Sequence, residues 1–302
     1  MNVSTHDRRR WLRISLWSLS ILALGTAAFF AGPAIRMRWT GQMGGPERSR
    51  LQQPDGTRTE ADELGGKPES ADAIALRDMP YVHQVATRLN NPDASCRIIH
   101  IKDWHFVGFE EFAADVHSQQ DEPVDGDGTI ELYKQHLDAV EAVQKEQVAL
   151  LSAILDKLDV SAVFVEGLTE RDMPVFKAIS RMIAEKEKTG ELVGLWETML
   201  RHGAVGRLYR EGVLNDVLPL EDEAAYAAAN PVGENGTVEF DAARNEKRED
   251  AQARNLLARQ GVVVVILGGA HDLTDNLRRL AGDDVQYVQV ETKAYSRAVG
   301  QQ

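Results

Sequence analysis

The sequence predicts an α/β fold: a mostly parallel sheet with helices on both faces, preceded by an N-terminal transmembrane helix and a disordered linker. Three observations predict it. Short β-branched runs alternate with longer segments of helical period over residues 96–290. One of those runs, Val262–Leu267, is apolar on both faces, as a central parallel strand must be. A 22-residue uncharged stretch, Ile14–Ile35, follows an arginine cluster near the start.

The chain reads in three parts. Residues 1–35 form a membrane anchor or uncleaved signal: Arg8, Arg9, Arg10 and Arg13 precede the apolar run, which is long enough to span a bilayer. The denser basic cluster on the amino side puts the folded part outside the cytoplasm. Arg8–Arg13 is also similar to a twin-arginine export signal. Residues 36–79 form a linker, dominated over 40–75 by Gly, Pro, Ser, Thr and charged residues without periodicity. As a flexible coil, 40–75 would reach roughly 30–35 Å. Residues 80–302 form the α/β domain.

Within the domain, Cys96–Ile101 reads as the first strand. Residues 121–128 make an acidic loop whose spacing does not fit an EF-hand. Leu132, Leu137, Val140, Val143, Val148, Leu151 and Ile154 recur at helical spacing and predict a long amphipathic helix over 130–158. A strand over Ala162–Val165 follows, then helices over about 170–188 and 191–211. A short strand at Val217–Leu220, a helix over about 240–259, the strand 262–267, a short helix over 272–281 and a last strand at Val285–Val290 complete the series.

Charge and cysteine content exclude several classes. Net charge is −13, and the first 50 residues alone carry eight arginines against two acids. The remainder is strongly acidic, which excludes nucleic acid as a partner. Cys96 is the single cysteine, so neither a disulfide nor a cysteine metal cluster forms within the chain. There is no G-x-S-x-G, H-E-x-x-H, Walker or G-x-G-x-x-G motif.

The chemistry gathers at strand ends. The first strand leads to Lys102-Asp103-Trp104-His105, the second to Glu166-Gly167, the third to Glu221-Asp222, and the run 262–267 to Gly268-Gly269-Ala270-His271. Parallel strands bring such residues to one edge, where open α/β sheets place ligands. Imidazole with carboxylate suits a divalent transition metal (Zn, Mn, Fe or Co), so His105, Glu166 and His271 are the expected ligands. Gly268 and Gly269 allow close approach of a substrate. Glu166, or else Glu221, is the expected general base. His100, between Ile99 and Ile101, is a second-shell candidate or a buried strand histidine.

Four segments resemble the TraB/Tiki superfamily, whose relatives include erythromycin esterases and ChaN-like haem-uptake proteins. They are IIHIKDWH, with Lys102 where the family's G-x-x-H has glycine; VFVEG, ending on Glu166; REDAQARN, led by Arg248; and GGAH, with Gly268 and His271. The resemblance covers roughly residues 95–292. It implies functional positions at His105, Glu166, Arg248 and His271, with Arg248 stabilising an oxyanion or binding a substrate carboxylate. Lys102 would add charge next to a cation and disfavour a metal. The expected function is a membrane-anchored, extracytoplasmic, metal-dependent hydrolase of the protease or esterase type, acting on a small molecule or peptide. The alternative is a haem-binding protein without hydrolytic activity.

Overall fold

The computed structural model describes residues 70–119, 126–230 and 241–300. All but Asn230 belong to one unit, which is the one described below. The expected anchor and twin-arginine signal lie outside the described residues, as does most of the acidic loop 121–128. Among the described residues no helix is long and apolar enough to cross a membrane.

In chain order the elements are α1 (Ala71–Arg77), β1 (Val82–Leu89), β2 (Cys96–Asp103), α2 (Phe109–Gln119), α3 (Gly126–Lys157), β3 (Val160–Val165), α4 (Met173–Thr189) and α5 (Trp196–Arg210). Then follow β4 (Leu218–Pro219), α6 (Glu223–Ala228), α7 (Ala242–Leu257), β5 (Gly261–Gly268), α8 (Thr274–Ala281), β6 (Val285–Thr292) and α9 (Lys293–Gly300). The strands form one mixed sheet in the order β1-β6-β2-β5-β3-β4. Every pair is parallel except β1 with β6.

Strand alternation serves two of the core's hydrophobic clusters. Ile99, Ile101, Val262, Val264, Ile266, Val288 and Val290 pack against Leu150, Leu151 and Ile154 of α3, Phe176 of α4 and Leu208 of α5. Ile98, Val263, Val265, Leu267, Val285 and Tyr287 pack against Ala253 and Leu256 of α7 and Leu277 of α8. Each strand residue therefore serves one helical layer, which is why β5 is apolar on both faces. Cys96 is buried and its thiol is pushed up to about 11 by burial and by the nearby Asp284 charge, so it is a core residue and not a nucleophile.

Two elements correct the sequence reading. Residues 70–79, expected in the linker, are part of the described fold. Ser70 caps α1 by accepting from the Ala73 N–H, and Ala73 and Leu76 are fully buried in the core. Asp72 of α1 is paired with Arg97 at 2.8 Å. The edge strand β1 is also new. Its sequence, VHQVATRL, mixes polar and apolar residues because most of its side chains are exposed or half-buried.

Register decides where strand ends meet. Asp103 pairs with Gly268, Val165 with Ile266, and Val165 with Pro219. The residues that follow, Glu166, Glu221 and His271, therefore leave the sheet on the same edge as Asp103 and His105.

Because α1 is core rather than linker, Leu76→Ala is expected to cost about 2–5 kcal/mol. Urea unfolding would check this; a shift within error of wild type would return α1 to the linker.

Candidate functional site

The centre of the site is Glu166, one residue past β3 and almost fully buried. Both of its oxygens are occupied. Oε2 accepts from the Gly268 backbone N–H at 2.7 Å and from His105 Nε2 at 3.1 Å. Oε1 accepts from Arg248 Nη2 at 3.1 Å and lies 3.4 Å from His271 Nε2. Three cationic side chains thus converge on one carboxylate.

Each cation has a second carboxylate behind it. His105 Nδ1 donates to Asp103 Oδ2 at 2.8 Å. His271 Nδ1 donates to Glu249 Oε1 at 2.9 Å. Arg248 binds Glu221 through Nε at 3.0 Å and Nη2 at 2.6 Å. Glu221 also accepts from the Gly167 backbone N–H at 3.1 Å, and Arg248 lies 5.0 Å from the Tyr226 ring centroid.

Protonation follows from this geometry. Burial disfavours the charged form of His105, but the Glu166 charge and the hydrogen bonds to Asp103 and Glu166 outweigh it and hold the imidazole well above its ordinary value. Burial also opposes charge on His271, yet its bonds to Glu166 and Glu249 raise it to about 9. Burial alone would raise the Glu166 carboxyl; His105 and His271 reverse this and hold it well below the ordinary carboxylate range. At neutral pH both imidazoles are charged and Glu166 is ionised.

The structure brings together five of the expected residues: His105, Glu166, Glu221, Arg248 and His271. It assigns different surroundings to three. Arg248, with 5% side-chain exposure, is committed to Glu221 and Glu166 and has no open path to a substrate carboxylate. Glu221 is sealed behind it and is no base for a substrate. His100 stays outside the cluster: Tyr287 OH donates to its Nδ1 at 2.7 Å and its Nε2–H donates to the Leu267 carbonyl at 3.0 Å. Burial pushes His100 down to about 4, so it is a neutral core histidine. Lys102 points to Glu291, 2.8 Å away, rather than to Glu166.

Gly268 and Gly269 are required by their neighbours. A Cβ on Gly268 would lie 2.5 Å from His105 Nε2, and one on Gly269 would overlap the Tyr295 hydroxyl. The expected close approach is real, but it is made by the protein's own side chains. Asp103 and Glu249 were given no role from the sequence although each lies inside a motif, two residues before His105 and directly after Arg248.

A metal ion was the expected occupant. The carboxylate behind each histidine is the arrangement that orients metal-ligating imidazoles. Yet among the described residues no group of three or more His, Cys, Asp or Glu side chains is set to hold a metal ion. The surroundings give the reason: each imidazole nitrogen already has a carboxylate partner, and Arg248 adds a fixed cation 3.1 Å from Glu166 Oε1. In this arrangement the residues do not fit a cation, nor does either imidazole offer a free nitrogen to haem iron.

The shifts set a stability profile. The raised histidines contribute stability that is fully present below about 6.5 and is lost as pH rises through about 9 for His271. The depressed Glu166 contributes stability that is present above about 4.5 and is lost as pH falls through its lowered value. Stability is therefore expected to peak between about pH 4.5 and 6.5, and His271→Gln should flatten the alkaline limb in urea titrations at several pH values. An alkaline limb unchanged by that substitution would refute the assignment. Gly268→Ala is expected to cost about 1–3 kcal/mol by displacing His105, again by urea unfolding.

Comparison with family models, curated proteins and solved structures finds no match for this chain. The likeness to the TraB/Tiki superfamily thus rests on the four motifs alone.

Proposed function

We propose that the chain is a hydrolase of small esters or peptide-like amides, with His105 as the residue that moves the proton. The observation that carries this reading is a His–carboxylate dyad aimed at a buried cluster. His105 has its Nδ1 fixed by Asp103 and its Nε2 on Glu166, and its side chain is 26% exposed against 8% for Glu166 and 14% for His271. It is the member of the cluster that solvent and substrate reach first. Its pairing has the form of a general base with an orienting carboxylate.

In this reading His105, once neutral, no longer donates from Nε2 to Glu166 Oε2, and a water entering on the His105 side takes that place on Oε2. Neutral His105 takes its proton at Nε2 as the oxygen adds to the carbonyl carbon. Asp103 stabilises the imidazolium that results. His271, kept charged by Glu166 and Glu249, shares its Nε2–H, 3.4 Å from Glu166 Oε1, with the oxygen on which negative charge develops. His105 then returns the proton to the leaving group. Arg248 acts on Glu166 rather than on substrate: it keeps the carboxylate ionised and fixed. No step is routed through a metal, because Arg248 already places a fixed cation 3.1 Å from Glu166 Oε1. The four motifs shared with a superfamily that includes esterases and proteases support the same class.

The proposal extends to location. A 22-residue uncharged run after four arginines supports a single-pass anchor with the domain held outside the cytoplasm by the linker. Removal of residues 1–39 is expected to move the protein from a carbonate-resistant membrane pellet to the soluble fraction. An unchanged pellet fraction would contradict the anchor.

Hydrolysis of p-nitrophenyl acetate by the full chain tests the reaction. His105→Gln is expected to lower kcat/KM by about 10²–10⁴-fold. Because the His105 value is raised, the neutral form that acts as base is populated only toward alkaline pH, so kcat/KM should rise with pH above neutrality. Equal rates for wild type and His105→Gln would overturn the reading.

A further inference from the structure

Behind the carboxylates lies a further layer of side-chain amides. Gln252 Nε2 donates to Glu221 Oε1 at 3.0 Å, Asn245 Nδ2 to Glu249 Oε1 at 3.1 Å, and Gln147 Nε2 to Asp103 Oδ1 at 2.7 Å. Gln252 and Asn245 lie on α7 together with Arg248 and Glu249, so one helix already brings them near their partners. Gln147 is different. It reaches from the middle of α3 to a residue 44 positions away, and it is fully buried. The same nitrogen also lies 3.1 Å from the Lys102 carbonyl, so it fixes both the Asp103 side chain and the backbone before it.

Gln147 carries an unbalanced burden. Its Oε1 is buried without a hydrogen-bond partner, so the side chain as a whole is costly to bury. A leucine or methionine would fill the space without that penalty, which sits on the side chain that donates to Asp103 Oδ1. The two Asp103 oxygens divide the work: Oδ1 accepts from Gln147 and Oδ2 accepts from His105 Nδ1. Rotation of the carboxylate away from Gln147 would also turn it away from the imidazole.

We propose that Gln147 is a positioning residue for His105, acting through Asp103, and that it sets the direction of His105 Nε2 toward the reacting water. The role in turnover rests on the hydrolase reading above; the orientation of His105 does not. A partner one step removed from a reacting group is worth about 10–100-fold in activity. A methionine at 147 keeps the volume and removes the donor. A glutamate keeps the shape and puts an acceptor against an acceptor.

The test uses the full chain and the two variants Gln147→Met and Gln147→Glu, each first checked for a cooperative melt. The first readout is the low-field NMR signal of the His105 Nδ1–H, assigned by its loss in His105→Gln. It is expected to move upfield or to broaden in whichever variant folds, because the Asp103 acceptor is no longer held. The second is hydrolysis of p-nitrophenyl acetate, with kcat expected to fall about 10-fold or more and KM to stay within about twofold. A folded variant with both the His105 signal and kcat unchanged overturns the proposal. A wild-type chain that does not hydrolyse the ester removes the hydrolase reading only. In that case the NMR signal alone decides: displacement in a variant upholds the positioning role, and an unmoved signal overturns it.

Discussion

One buried carboxylate organises the site. Glu166 faces two imidazoliums and a guanidinium at 3.1–3.4 Å, and all three would repel one another without it. Three further carboxylates, Asp103, Glu221 and Glu249, each hold one of these cations from behind. The cluster therefore sets three positive groups against four negative ones, all of them removed to a large extent from water. Buried ion pairs seldom add net stability, because desolvation offsets most of their attraction. A hydrophobic corner at the sheet edge would be cheaper to fold. That a chain keeps seven charges there is the physical reason to read the edge as a working site.

The fold delivers these groups through register. β2, β5 and β3 run parallel with Asp103 beside Gly268 and Val165 beside Ile266, so their carboxyl ends finish at one level. Gly268 contributes its backbone N–H to Glu166, and the Gly268–Gly269 pair leaves room for His105 and Tyr295. The helix α7 adds Arg248 and Glu249. Lys102, which replaces a glycine in the resembled motif, is drawn off to Glu291 and leaves the cluster's charge balance to its own members.

Much of this was legible in the sequence because it depends on local pattern. The alternation of strands with helices gave the parallel sheet, and residues one to four positions past a strand end gave His105, Glu166, Glu221 and His271. Arg248 came from a motif rather than from periodicity, and its role changed once its partners were seen. Of the residues given no role, Glu249 and Gln147 are defined by pairings between elements, for which no spacing in the chain is a signal, whereas Asp103 pairs locally with His105, two positions on. His100 was open between a buried strand histidine and a supporting site residue, and Tyr287 and Leu267, which occupy both nitrogens, favour the strand histidine. The strand β1 and helix α1 were missed for a different reason. An exposed edge strand lacks strict alternation, and a seven-residue helix is too short to show a period.

The most direct test of Glu166 as the common counter-charge is the titration of both histidines by NMR in wild type and in the isosteric Glu166→Gln variant. Loss of the central negative charge leaves only Asp103 and Glu249 to offset burial and, at His271, Arg248. Both His105 and His271 should then titrate well below their wild-type values, toward or below about 6.5. Histidines that titrate in Glu166→Gln as they do in wild type would contradict the central role of Glu166.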